Sequence, residues 1–328
     1  MSFLIFVLRV WRPISSLVGR LFFALICLAG CTPSQTIALR DSPPTIAQRI
    51  ELAQTAFFPQ EAFHCGPAAL ASALSTSGIS VHPEQLAPQL YLPERRGSLQ
   101  VEMLAAARRN GALPYQIDPT ITSLLAEVEG GNPVIVLQNL AFSWAPRWHY
   151  SVVIGYDLPR QQLILRSGQT RRLLVSLRTF EHTWKRSGFW AIVVAAPGQI
   201  PVTANERDYI EAALAFENVA HAWQAQEVFA AAADRWPRNL LAWMGTGNNA
   251  FLRHDWRAAE HAFRRAAILA PGSAAPLNNL ALTLAEQDRI DEAVETARKA
   301  VELAGEFESI SQATLKNLLD ERTIRARE

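Results

Sequence analysis

The chain has 328 residues, of which 49% are hydrophobic and 19% are charged, and its formal net charge is +1. This composition is typical of a globular protein and gives length enough for about two domains. A near-neutral chain lacks the electrostatic footprint of a nucleic-acid-binding protein, so we expect no nucleic-acid partner.

Residues 1–31 have the pattern of an export signal. Three arginines supply its positive region, and LFFALICL at residues 21–28 supplies an apolar run that is too short to span a bilayer. LAGC at residues 28–31 resembles the lipobox of bacterial lipoproteins, in which cleavage leaves the cysteine as a lipidated N-terminus. We therefore expect an acylated Cys31 to anchor the protein to a membrane of the bacterial cell envelope, facing the periplasm. An ordinary signal peptide or a retained anchor is the alternative.

Cys65 is the one cysteine that neither lies inside the signal nor is expected to carry lipid. An unpaired cysteine in an oxidising compartment is a liability unless its reactivity is used. Pro67 and a run of Ala and Leu predict a helix that begins beside Cys65. Unpaired backbone N–H groups and the positive end of the helix dipole meet there, so we expect them to lower the thiol pKa. A buried structural cysteine is the alternative interpretation.

The rest of the first half predicts an α+β domain over residues 46–197. Residues 32–45 are polar and contain prolines, which indicates a tether, and Thr45 to Phe57 is a candidate helix. Further helices are expected at 83–90, at 99–110 with Ser98 as N-cap and Gly111 as stop, and at 121–129. Apolar runs predict about five strands, at 133–138, 149–156, 163–166, 173–176 and 189–194. Helices followed by strands favour a sheet packed on the Cys65 helix.

After a linker at residues 198–205, the sequence repeats with a 34-residue period. The same residue types recur at this spacing in Ala225, Ala259 and Ala293, and in Phe229 and Phe263. This period, with small residues at fixed offsets, is the signature of tetratricopeptide units. We therefore expect three helix–turn–helix units in residues 206–328, with Ser309 to Arg325 as a capping helix, and a protein partner bound by them. A plain helical bundle is the alternative.

Two residues elsewhere fit a cysteine nucleophile. His149 opens an alternating strand 84 residues after Cys65 and is a candidate base, although a strand histidine alone is more often a packed core residue. Gln60, five residues before Cys65, is a candidate donor to an oxyanion. Trp144 and Trp148 flank the approach to His149, where packing is a simpler interpretation than a substrate groove. The histidines show no metal-ligand spacing, so we expect no metal and no cofactor.

These residues resemble those of the papain-like peptidases that process double-glycine leaders of bacteriocins. The resemblance rests on Gln60, on HCGPAAL at residues 64–70 and on WHYSVVIGYD at 148–157, and it covers about residues 50–196. It implies a papain-like cysteine peptidase fold with Cys65 as nucleophile, His149 as its base and Gln60 as oxyanion donor. Together with the lipobox and the repeats, the chain looks like a bacterial lipoprotein that joins such a domain to tetratricopeptide units.

One position departs from the family's pattern. The family places an Asp followed by Pro at the end of the next strand, where it orients the histidine, whereas this strand ends in Arg166-Ser167-Gly168. Ser167 is a candidate hydrogen-bond acceptor for the imidazole, but it lacks the charge that stabilises an imidazolium. Asp157 lies at the far end of the His149 strand, about 25 Å away in an extended chain, so we reject it as the orienting acid.

The leading hypothesis is an envelope-anchored cysteine peptidase that cleaves a peptide or protein substrate and recruits a partner through its repeats. A catalytically degenerate adaptor is the first alternative, because the orienting Asp is missing. A third reading keeps the nucleophile but transfers the acyl group to an amine or cuts an amide of cell-wall peptide. The sequence does not separate these chemistries, because they share one acyl-enzyme.

Overall fold

A computed structural model describes residues 34–60, 64–92, 94, 97–303 and 305–326. The signal and the lipidation site predicted in residues 1–31 lie outside the described residues. The chain divides into two units at Pro44–Thr45. The first unit contains helix α1, Ser34–Asp41, in the segment where the sequence predicts a tether. In the described part of the chain, no helix combines the length and the apolar character needed to cross a membrane.

The second unit begins with an α+β region. Its helices are α2 (Cys65–Thr76), α3 (Pro83–Leu90), α4 (Gln100–Arg109), α5 (Ile121–Glu129) and α6 (Leu177–Lys185). Its strands are β1 (Arg49–Glu51), β2 (Leu113–Gln116), β3 (Val134–Asn139), β4 (Trp148–Asp157), β5 (Gln162–Ser167), β6 (Thr170–Ser176) and β7 (Ala191–Ala195).

The strands form one antiparallel sheet in the order β2-β7-β3-β4-β5-β6, and β1 pairs with β4 beyond the end of β3. The helix predicted at Thr45 to Phe57 is therefore wrong, because part of this segment is β1. Gly155 explains the pairing, since a Cβ there would lie 2.4 Å from the Ile50 carbonyl oxygen. Tertiary pairing overrides local preference in so short a strand. Ser98 is not the N-cap of α4 either, since that position is taken by Leu99.

Helix α2 is buried against one face of this sheet. Every residue from Gly66 to Leu74 is buried. Strand β4 contributes alternate residues to the same core, namely Tyr150, Val152 and Ile154. The alanines let the helix backbone approach the sheet closely, and the branched side chains fill the space between them. The predicted α+β arrangement, with the sheet packed on the Cys65 helix, is confirmed.

The remaining chain is all helical. Helices pair in sequence as α7 (Glu206–Glu217) with α8 (Ala222–Arg235), α9 (Leu240–Leu252) with α10 (Trp256–Leu269), and α11 (Ala274–Ala285) with α12 (Ile290–Glu302), followed by α13 (Glu308–Arg325). Two glycines of α9 permit close helix crossings, because a Cβ at Gly245 or Gly247 would lie 2.5 Å from the ring of Phe229 or Phe263. The prediction of an all-α tetratricopeptide-like region is confirmed.

Candidate active site

Cys65 is the first residue of α2, and its side chain is partly buried at the contact between this helix and β4. The backbone N–H groups of Tyr150, Gly66 and Cys65 itself lie near the sulfur. Burial is the largest influence and raises the pKa of the thiol, whereas the three N–H groups lower it. The expected fall of this pKa is therefore wrong in direction, because the loss of water disfavours the thiolate more than the helix start favours it.

Gly66 sets how closely the start of α2 meets the segment before α4. A Cβ at Gly66 would lie 2.4 Å from the Ser98 hydroxyl oxygen and 2.8 Å from its Cβ. The carbonyl of Ser98 in turn accepts a hydrogen bond from the Tyr150 hydroxyl at 3.3 Å. A residue with a side chain at position 66 would displace the helix start that carries Cys65.

His149 is the second residue of β4, and its backbone lies next to the sulfur. The N–H group that reaches Cys65 belongs to the peptide bond between His149 and Tyr150. His149 Nε2 lies 2.9 Å from the Ser167 hydroxyl, which lies 3.1 Å from the buried Ser151 hydroxyl. A neutral imidazole that donates its Nε2–H to Ser167 keeps Nδ1 as a proton acceptor.

The imidazole is neutral at pH 7. Burial lowers the pKa of His149 to about 4, and the positive charge of Arg147 acts in the same direction. Together with the raised pKa of Cys65, this makes the resting pair a thiol and a neutral imidazole. A neutral imidazole is the form that accepts a proton in general-base catalysis.

Gln60 is held by the turn that follows Ser167. Its backbone N–H donates to the Gly168 carbonyl at 3.1 Å, and the Gln169 amide donates to the Gln60 carbonyl. Its Oε1 is buried and has no hydrogen-bond partner among the described residues. The end of β5 contacts His149 and the turn after it contacts Gln60, which brings these two predicted site residues to the same end of the sheet.

The sequence analysis missed Arg166, which is 4% exposed. Its guanidinium donates to the carbonyls of Ala53 and Thr55 at 3.0 Å and also to that of Arg171. These bonds fasten the segment that leads to Gln60 onto β5, and burial lowers the pKa of this arginine. An arginine inside the apolar run Leu163 to Ser167 is the signal that would have identified it.

The sequence analysis rejects Asp157 as the acid that orients His149. Asp157 contacts Arg49 at 3.1 Å and Arg160 at 3.2 Å, at the end of β4 opposite His149. Within the described ranges, no group of three or more His, Cys, Asp or Glu side chains is placed to hold a metal ion.

Residues 52–192 match the model of the Peptidase_C39 like family. This segment is therefore similar to the C39-like peptidases. It contains every residue of the site described above. No curated protein matches the chain in sequence.

Solved structures resemble the two regions of the chain separately. A Bacillus anthracis protein described as a C39-like peptidase is 17% identical over 45% of this chain and 98% of its own, with a TM-score of 0.39. The protease of an AMS/PCAT transporter, specific for a double-glycine motif and bound to the leader peptide, is 24% identical over 44% and 91%, with a TM-score of 0.33. YrrB, a tetratricopeptide protein with an unusual peptide-binding site, is 18% identical over 37% and 61%, with a TM-score of 0.33.

Proposed function

We propose that the C39-like domain is an active cysteine peptidase with Cys65 as nucleophile. The observation that carries the proposal is the contact of the Cys65 sulfur with the His149–Tyr150 peptide group, combined with the bond between His149 Nε2 and Ser167. Covalent catalysis requires a nucleophile, a base and a group that orients the base, and these are the roles that the proposal gives to Cys65, His149 and Ser167.

In the proposed reaction, Cys65 Sγ attacks the carbonyl carbon of a peptide bond as its proton passes to His149 Nδ1. The oxyanion accepts hydrogen bonds from the backbone N–H of Cys65 and from the amide of Gln60. The imidazolium then donates its proton to the departing amine, and the C–N bond breaks to leave a thioester on Cys65. Water, deprotonated by His149, hydrolyses the thioester and restores the thiol.

The test is hydrolysis of a pool of internally quenched random peptides by the full chain. We expect cleavage that is lost in Cys65→Ala and in His149→Ala, and that is unchanged in His261→Ala, a surface histidine on α10. Cleavage that persists in Cys65→Ala, or an intact wild-type chain that cleaves no peptide in the pool, would refute the proposal.

A non-catalytic adaptor is the second candidate. The raised pKa of Cys65 and the uncharged Ser167 favour it, because both weaken the resting nucleophile. Hydrolysis that depends on Cys65 excludes this candidate.

We further propose that Cys31 carries lipid and holds the protein on the envelope membrane, while the helical repeats bind a protein partner or substrate. The lipobox-like LAGC at residues 28–31 supports the anchor, and three helix pairs with a final helix supply an extended surface for a partner. Metabolic labelling with an alkyne fatty acid tests the anchor: Cys31→Ser should lose the label and leave the membrane fraction.

A further inference from the structure

Residues 140–148, which are the loop between β3 and β4 together with the first residue of β4, end immediately before His149. Four of their side chains form an exposed apolar set, which we name the aromatic loop: Leu140, Phe142, Trp144 and Trp148 are 47%, 65%, 83% and 50% exposed. The rings of Phe142 and Trp144 stack with centroids 5.6 Å apart and planes 10° from parallel. The expectation that Trp144 and Trp148 pack inside the protein is wrong. Large apolar side chains concentrated on a surface in this way mark a binding site.

Hydrogen bonds hold the aromatic loop in this form. Buried Asn139 accepts through Oδ1 from the N–H groups of Ala141 at 3.0 Å and Arg147 at 2.9 Å, and donates through Nδ2 to the Phe142 carbonyl at 3.4 Å. Arg186 donates to the carbonyls of Asn139 at 3.2 Å and Ala141 at 2.6 Å. The backbone of the loop is therefore held in one form, which reduces the entropy lost when the loop binds a ligand.

The chemistry of the site indicates which part of a substrate passes the aromatic loop. In acyl transfer, the histidine that takes the nucleophile's proton returns it to the leaving amine. The departing half of the substrate must therefore lie beside the His149 imidazole. The loop joins directly to His149, so it lies on the side of the residues that follow the cleaved bond.

We propose that the aromatic loop binds a large apolar side chain of the substrate, located within a few residues after the cleaved bond. This inference rests on the proposed peptidase function and names its specificity-determining residues. Continuity of the aromatic loop with His149 favours a peptide substrate over a membrane or a separate protein as its occupant. Stacking on a preformed aromatic pair favours an aromatic or large aliphatic side chain.

Two measurements test the inference, one with catalysis and one without. In the first, products of the quenched peptide pool are sequenced by mass spectrometry for wild type and for the double variant Phe142→Ser/Trp144→Ser. The selectivity is the ratio of kcat/KM for peptides with a large apolar residue after the cleaved bond to kcat/KM for peptides with Gly there. We expect this ratio to exceed one in wild type and to fall by about tenfold in the double variant. Alkylation of Cys65 by iodoacetamide should keep its rate in the double variant. Trp223→Ser, at a tryptophan of α8 that is 46% exposed, is the matched control.

In the second measurement, the full chain with Cys65→Ala is immobilised and the same pool is passed over it. Retained peptides should be enriched in large apolar residues. The enrichment should vanish when the immobilised chain carries Phe142→Ser and Trp144→Ser in addition to Cys65→Ala. This arm decides the inference even if the wild-type chain cleaves nothing, an outcome that would refute the peptidase proposal alone. Retention without apolar enrichment, or selectivity that survives the double variant, overturns the inference. So does a double variant whose sole change is weaker binding to vesicles of phosphatidylethanolamine and phosphatidylglycerol.

Discussion

Ser167 occupies the position from which a carboxylate would act on His149. A hydroxyl accepts the Nε2–H bond and fixes the ring, but it adds no negative charge to stabilise the imidazolium. Burial and the charge of Arg147 therefore act unopposed, and they lower the pKa of His149 to about 4. A base this weak drives little proton transfer from a thiol whose own pKa is raised.

Ser167→Asp should strengthen the base. A carboxylate within hydrogen-bonding distance of Nε2 stabilises the charged ring, so the pKa of His149 should rise from about 4 towards its usual value near 6.5. We expect kcat/KM at pH 7 to rise by about tenfold and the acidic limb of its pH profile to move to higher pH. Ser176→Asp is the control, since Ser176 caps α6 and Asp is an equally good N-cap. An unchanged acidic limb in Ser167→Asp would contradict this account of the pair.

The stability of the fold should also depend on His149. Its pKa is near 6.5 in the unfolded chain and about 4 in the folded one, so the unfolded state binds more protons between these values. The contribution of His149 to the free energy of unfolding should therefore have its full value above pH 6.5. It should fall by at most about 1.4 kcal/mol per pH unit as the pH drops towards 4. We would measure the free energy of unfolding in urea at pH 7.5 and at pH 4.5. The difference between the two values should be smaller in His149→Gln than in wild type. Equal differences would mean that the ring is not buried as described.

At the scale of elements, the sequence predicted those whose pattern is local. The Ala-rich helix, the β-branched runs of β3 and β4, and the 34-residue period each depend on residues that are close in sequence. Strands β1 and β2 were missed because they have three and four residues, and pairing with distant strands determines their conformation. Helix α6 was missed as well, although its N-cap Ser176 accepts the expected hydrogen bond from the Thr179 N–H.

The candidate site shows the same limit. The motif indicated Cys65, His149 and Gln60, and the departure from the family's pattern indicated Ser167. All four lie around one end of the sheet. The pKa directions were not predictable, because desolvation comes from many distant groups that pack together only in the fold. The same holds for Arg166, whose carbonyl partners at Ala53 and Thr55 lie more than 100 residues away in sequence.

Gly66 makes a prediction about how the helix start is positioned. Ala is the better helix former, but its Cβ would overlap the Ser98 side chain, so Gly66→Ala should destabilise the fold by about 1–3 kcal/mol. The shift of α2 should also reduce peptide hydrolysis. The double variant Gly66→Ala/Ser98→Gly removes the overlap and should recover most of both losses. Thermal unfolding and hydrolysis rates measure this, and a Gly66→Ala protein as stable and active as wild type would refute it.

Across the whole second unit, the α+β region and the repeats are joined by specific hydrogen bonds. Glu127 of α5 is fully buried, and its carboxyl oxygens accept from the side chain of Asn132, from the backbone N–H groups of Val202 and Thr203, and from the Thr203 hydroxyl. The Tyr115 hydroxyl accepts from the Asn205 N–H at 3.2 Å. The linker at residues 198–205 is thus fixed to the α+β region, so the repeats hold a defined position relative to the candidate site.

Glu127→Gln should uncouple the two regions. The amide keeps the shape of the side chain but has one acceptor oxygen, so its NH₂ group would face donors that the second carboxyl oxygen now satisfies. Leaving buried donors unpaired costs about 1–3 kcal/mol for each group. We expect calorimetry to show one cooperative unfolding transition for the wild-type second unit and two separated transitions for Glu127→Gln.

Glu129→Gln provides the matched control for this substitution, because Glu129 lies on the same helix with an exposed side chain. The one described bond of Glu129 is with the Ala47 N–H at 2.7 Å, outside the linker. The unfolding of Glu129→Gln should therefore remain a single transition, with little change in its midpoint temperature. Two separated transitions in both variants would mean that the negative charge of α5, and not the bonds of Glu127, couples the two regions. A single transition in Glu127→Gln would show that the remaining contacts, which include the packing of α7 on β2 and the Tyr115–Asn205 bond, suffice to join the α+β region and the repeats.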